Sequence, residues 1–181
     1  MPPMFRVAFA YSLREQNMSL LRIAIFLLIV GFAAYGCLDD ANRDESGNIV
    51  GEGEVSAFSM RVGDCFNDSQ EVIDAGGDEV VLEAVAGLPC SEPHDNEVYA
   101  VLDLSLERFP GGEEIYDLAR DECVERFESF VGVSYEASIL DIMHVYPTEE
   151  SWSRGGDREV ICAIYHMEAD KTTGSMNDSG I

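Results

Sequence analysis

His94, Asp95 and Glu97 stand close together in PCSEPHDNEVYAV, a histidine flanked by carboxylates and thus a composition able to move protons. Asp157 and Arg158 supply a further acid and a cation in YPTEESWSRGGDREVIC, next to Trp152, the only tryptophan of the chain. Catalysis asks for more than these residue types. The chain has no Gly-flanked serine nucleophile, no H-E-x-x-H pair and no phosphate loop, so no catalytic residue is assigned. The competing reading of the first group is a turn in which Asp95 and Ser91 bond backbone amides while His94 packs or caps. Trp152 likewise reads either as an anchor laid over the core or as an aromatic contact for a peptide or glycan. His94, Asp95, Glu97, Trp152, Asp157 and Arg158 are therefore candidate binding residues, and the loops at His94 and Trp152 are expected on the surface. His144 and His166 fall in apolar alternating stretches and read as ordinary sheet histidines.

Metal chemistry has two weak openings. Cys90 and His94 are a thiolate and an imidazole four apart, but there is no C-x-x-C pair and the cysteines are widely spread, so no zinc site is expected. Asn42, Asp44, Ser46, Gly47 and Ile49 match positions of a calcium loop, yet Gly53 stands where a bidentate acid belongs, between Glu52 and Glu54. A solvated Ser-Gly turn accounts for those residues, and neither a metal nor a cofactor is implied.

The elements that would hold these side chains are legible in outline. Residues 80–85 and 97–104 read as strands joined across the turn-rich PCSEPHDN. Between 113 and 131 the apolar positions Ile115, Leu118, Ala119, Cys123, Phe127, Phe130 and Val131 recur at helical spacing, opposite a face of Asp and Glu, and Gly132 is placed to cap the helix. Residues 138–146 and 158–167 are further strands, the second apolar enough for the middle of a sheet. The expected fold is a small α+β domain over 60–168, an antiparallel sheet with one main amphipathic helix packed on it. Residues 37–59, rich in Asp, Glu, Gly, Asn and Ser, read as an acidic flexible tether, and 169–181 as a loose polar tail.

Five cysteines punctuate the chain, Cys37, Cys65, Cys90, Cys123 and Cys162. With Cys37 set aside for lipid, four remain, an even number in a small exported domain and hence two disulfides. Four cysteines allow three connectivities. We favour Cys65 with Cys90 and Cys123 with Cys162, because the second pair bolts the buried face of the helix to the central strand.

Cys37 is set aside because it ends an uncharged apolar run, IAIFLLIVGFAAYG over 23–36, preceded by Arg6, Arg14 and Arg22 and followed by Asp39 and Asp40. That charge order leaves the start inside and the remainder outside. A helix of this length spans about 21 Å, short of the roughly 30 Å hydrocarbon core, so residues 1–36 suit an export signal better than a spanning helix. AYGC resembles a bacterial lipobox, with Tyr35 a departure from its usual small or aliphatic residue. The alternative is an uncleaved anchor helix, and Met18 begins a compact signal of its own, which makes 1–17 an over-called start. Either way the protein is expected on the extracytoplasmic face of the membrane.

The 181 residues carry 11 Lys plus Arg against 35 Asp plus Glu, a formal charge of -24 that repels phosphate backbones and excludes nucleic acid as a partner. A chain that matures at Cys37 loses three Arg and only one acid, Glu15, so the exported part is more acidic still.

VGDCFND, then PCSEPHDNEVYAV, a helix carrying Cys123 before FESFVG, then YPTEESWSRGGDREVIC and finally TGSMNDSG together resemble the septum-formation domain of exported actinobacterial proteins. The resemblance runs from about 60 to 180. It implies an extracytoplasmic, membrane-tethered domain with a link to cell division, and it carries no reaction, cofactor or catalytic residue. The expected function is a non-enzymatic envelope protein that binds a protein or wall component. The alternatives are a hydrolase or transferase of envelope polymer using His94, Glu97 and Asp157, and a solute- or calcium-binding lipoprotein. The first requires those three side chains to converge in one concave site. The binding reading requires an exposed Trp152.

Overall fold

The computed structural model describes residues 41–75 and 80–181, so the apolar run and Cys37 lie outside the described residues. Among the described residues no helix is long and apolar enough to cross a membrane.

A six-stranded antiparallel sheet forms the frame. Its strands are β3 (Gly53–Ser56), β4 (Cys65–Asn67), β5 (Ala84–Leu88), β6 (Asn96–Asp103), β7 (Leu140–Val145) and β8 (Glu159–His166), in the order β3-β5-β4-β6-β8-β7. A short hairpin, β1 (Asn42–Arg43) with β2 (Ile49–Gly51), precedes it. Two helices interrupt the strands, α1 (Gln70–Ala75) and α2 (Gly112–Val131). The apolar strand EVICAIYH is β8, flanked by β6 and β7 as its composition requires.

α2 covers one face of the sheet. Its fully buried residues Ile115, Ala119, Cys123, Phe127 and Val131 recur every fourth position, a stripe that meets Tyr99, Leu140, Val160, Cys162 and Ile164. Each large apolar side chain so buried contributes roughly 1.5–3 kcal/mol. Glu113 and Glu114 in the first turn suit the positive end of the helix, and Gly132, at φ 92°, ends it by donating to the Glu128 carbonyl. Cys123 and Cys162 are joined, as are Cys65 and Cys90. The α+β class and both pairings are those read from the sequence.

The opposite face buries Val55, Met60, Phe66, Val85, Val98, Ile161 and Ala163, with Ala41 and Ile49 laid on them by the β1–β2 hairpin. Gly87 makes this approach possible: a Cβ there would stand 2.6 Å from Val55 Cγ2 and 3.0 Å from Ile49 Cδ1. The edge strand β7 is blunted locally, because Ser138 Oγ accepts from Leu140 N and Asp141 Oδ1 from Ile142 N.

Three expectations need correction. From residue 42 the presumed tether is structure: Ile49, Val55 and Ala57 are buried, and Arg43 makes a bidentate pair with Asp64 at 2.5 and 2.7 Å. Its isolated apolar residues looked too sparse to fold, but β3 pairs with β5 and needs only one covered face. The presumed tail docks instead of trailing. Met176 is buried, and Asp178 and Gly180 donate backbone N–H groups to the Phe130 and Val131 carbonyls that end α2. The strand expected over 80–85 begins at Ala84 and runs to Leu88. Within the calcium-like stretch, Asp44 accepts from the Ser46 and Asn48 amides, which makes it the turn of the hairpin.

Candidate functional site

β6 separates the candidate residues. His94, Asp95 and Glu97 sit at its start, whereas the Trp152 loop meets its far end, where Leu104 N donates to the Arg158 carbonyl. At roughly 3.3 Å per residue the six steps of β6 from Glu97 to Asp103 put about 20 Å between the two groups. His94, Glu97 and Asp157 therefore do not converge, and the acid–base site drawn from them is corrected.

The His94 end is closed. His94 is fully buried; its Nδ1 lies 2.8 Å from the Glu92 carbonyl and its Nε2 3.1 Å from Thr172 Oγ1. A carbonyl only accepts, so Nδ1 carries the proton, and in the neutral ring the Nε2 lone pair takes the Thr172 hydroxyl. Both ring nitrogens are thus engaged within the fold. The backbones of His94 and Thr172 exchange both N–H···O bonds at 2.9 Å. Glu97, 1% exposed, accepts from Ser175 Oγ at 2.6 Å and from the Met176 amide at 2.5 Å. Asp95 accepts from the Asp68 amide and pairs with Lys171 at 2.7 Å. The expectation of a surface contact at His94 fails because these groups hold the fold together. The Cys65 and Cys90 sulfurs lie beside the Glu97 carboxylate, but the disulfide already occupies them.

The far end is open. Trp152 itself is 4% exposed, wedged edge-on against Phe109 with the Arg158 guanidinium 3.6 Å over its ring, so it is the loop anchor and not an exposed aromatic contact. Arg158 also donates to the carbonyls of Leu106, Trp152 and Asp157. A π-helical turn, Ser151–Gly155, shapes the loop, and Gly156 at φ 70° closes it. Above this floor lies an open cleft of about 600 Å³ whose wall includes Phe58, Asp103, Gly156, Asp157, Arg158 and Glu159. Asp103 and Glu159 are direct cross-strand partners in the β6–β8 register, a like-charge pairing that costs stability. Neither forms an ion pair with a described residue. Asp157 is held by Ser151 Oγ and the Glu159 amide. Burial, then the charges of Asp103 and Asp157, raise the Glu159 carboxyl above its ordinary value. Phe58, 70% exposed, adds an apolar surface.

Of the candidate residues, then, only Asp157 and Arg158 line the cleft. Phe58, Asp103 and Glu159 were missed. A lone phenylalanine in an acidic stretch was a signal for the first, and the other two required the strand register.

The septum-formation family matches residues 62–179, from the strand carrying Cys65 through the docked C-terminal segment. The chain belongs to that family. The matched span holds the whole Cys65–Cys90 and Cys123–Cys162 framework, both ends of β6 and all of the cleft except Phe58. No curated protein and no solved structure matches the chain. Membership of the septum-formation family supports a septum-related role.

Proposed function

We propose that this is a membrane-anchored, extracytoplasmic interaction protein of the cell envelope that acts in septum formation without catalysing a reaction, and that its cleft at Asp103, Asp157 and Glu159 contacts the partner. The anchor is lipid on Cys37 or the uncleaved N-terminal apolar segment, extended to Leu38. The observation that carries the proposal is the unpartnered Asp103–Glu159 pair, two carboxylates placed opposite each other across adjacent strands. Such a pairing works against stability, and residues kept against stability commonly serve binding. A partner that presents an ammonium or guanidinium group would relieve the repulsion, while Phe58 at the rim suits an apolar neighbour of that cation. The partner is an envelope protein or wall component of that chemistry.

The test uses the full chain in dividing cells. A fluorescent fusion should concentrate at the septum, and a photo-crosslinking residue in place of Phe58 should capture a partner there. Asp103→Asn with Glu159→Gln should abolish capture without changing the amount of protein. Uniform distribution around the envelope, or capture indifferent to the double substitution, would refute the proposal.

A further inference from the structure

The C-terminal segment 171–181 is bound by its own domain, on the stretch 90–97 that begins at Cys90 of the Cys65–Cys90 disulfide. Gly174 N donates to the Cys90 carbonyl at 2.6 Å, Thr172 pairs with His94, Lys171 with Asp95, and Ser175 and Met176 with Glu97. Beyond them Asp178 and Gly180 reach the end of α2 and Ser138 Oγ reaches the Ile181 carbonyl. The segment is a strap. Half of it rests on residues 90–97 and half on α2.

The two disulfides are placed differently. Cys123 and Cys162 are both fully buried between α2 and β8. In the other pair Cys65 is fully buried but Cys90 is partly exposed, in the turn that follows Pro89. The Glu97 carboxylate lies within 4.8 Å of both sulfurs of this pair. The same carboxylate holds Ser175 and Met176.

We propose that Cys65–Cys90 is a redox-responsive latch on the C-terminal strap, opened by a dithiol reductant and closed by a disulfide oxidant of the same class. On opening, one thiolate of the reductant attacks Cys90 Sγ, on the partly exposed residue of the pair. The Cys65–Cys90 bond breaks as the mixed disulfide forms, and Cys65 leaves as a thiolate. The second thiolate of the reductant then attacks its own bonded sulfur and expels Cys90. The reductant is oxidised to its disulfide, the protein is reduced to two thiols, and the two protons of the dithiol end on Cys65 and Cys90. Cys65 takes its proton at once, because a thiolate buried beside a buried carboxylate is strongly disfavoured. The new Cys65 S–H lies within 4.8 Å of the Glu97 carboxylate, the acceptor that holds the Ser175 hydroxyl and the Met176 amide. Opening also releases Cys90, whose carbonyl holds Gly174, from its tie to Cys65. Reduction at one end of the domain thus weakens the strap's grip while Cys123–Cys162 keeps α2 on the sheet. The inference does not depend on the cleft or its partner.

The oxidised full chain, solubilised in detergent, is titrated with dithiothreitol, and free thiols are trapped by alkylation and located by peptide mapping. Cys65 and Cys90 should be alkylated at reductant concentrations about tenfold below those that expose Cys123 and Cys162, as accessibility of the attacked sulfur dictates. At that intermediate point hydrogen exchange in 171–176 should accelerate by about tenfold or more, with the buried face of α2 unchanged. Alkylation of all four cysteines together, or of Cys123 and Cys162 first, would overturn the latch, as would an open Cys65–Cys90 with unaltered strap exchange. Glu97→Gln, which keeps the side-chain shape, should loosen 171–176 in the oxidised chain. Unchanged exchange in that variant would remove Glu97 as the coupling group and overturn the mechanism.

Discussion

The two ends of β6 use the same residue types to opposite effect. At the Asn96 end carboxylates are matched: the buried Glu97 has two donors, the partly exposed Asp95 has Lys171 and an amide, and His94 has both ring nitrogens engaged. At the Asp103 end carboxylates face one another across β6 and β8 over an open cleft. The difference teaches that acidity by itself does not mark a site. A buried carboxylate with donors is part of the frame, because leaving it unpaired there would cost several kcal/mol. A solvated carboxylate opposite another is tolerated by the frame, and so is available to a partner.

The comparison can be broken most severely at the floor of the open end. Trp152→Ala should destabilise the domain by about 3–5 kcal/mol in urea unfolding, since the cleft rim rests on a core side chain. A loss below about 1 kcal/mol would mean that the open end is loose throughout. At the closed end Glu97→Gln should cost about 2–3 kcal/mol by the same measurement, the usual worth of hydrogen bonds to a buried charged group. The corresponding change at the open end, Asp103→Asn, should lie within about 0.5 kcal/mol of the parent or raise stability, because it removes a repulsion. Equal effects of the two substitutions would erase the distinction.

The same contrast should appear as two arms of a pH profile. Tyr135 and Tyr165 share Asp141 on β7, with Tyr165 opposite Asn96 at the closed end. The hydrogen bond to Asp141 pushes Tyr135 up to about 12, and burial pushes Tyr165 up to about 12. Both values lie above the unfolded tyrosine value of roughly 10, so their stabilisation is complete below that and is lost as pH rises through about 12. Absorbance titration should show these two phenols ionising late, together with unfolding. Glu159 at the open end is also raised, but as a partly buried acid near Asp103 and Asp157 it favours its protonated form in the fold. Its contribution is therefore present below its unfolded value and falls away as pH rises through its folded value, so mild acidification should strengthen the domain slightly. Glu159→Gln should remove that acid-side gain, and persistence of the gain would assign it to another group.

Much of the frame was readable residue by residue. The four-residue stripe of α2, the Gly132 cap, the apolar β8 and the evenness of the cysteines depend on local periodicity and simple counting, which sequence displays directly. The largest misreadings were of polar text. Residues 42–56 fold because Gly87 leaves room for Ile49 and because Asp64 awaits Arg43, and both partners lie in other segments. The strap looked like a tail because its grip is mostly backbone N–H and C=O, which every residue carries and no sequence advertises. The candidate site divided in the same way. Asp157 and Arg158 stood out beside Trp152, whereas Phe58, Asp103 and Glu159 joined them only through strand pairing and loop packing.

The sequence by itself determined the class, the number of disulfides, the acidic character and the family to which the chain belongs, because these follow from composition, counting and motif order. Only the tertiary structure decided which acids are frame and which are free. That depends on burial and on donors contributed from distant parts of the chain, and a carboxylate is written with the same letter in either case.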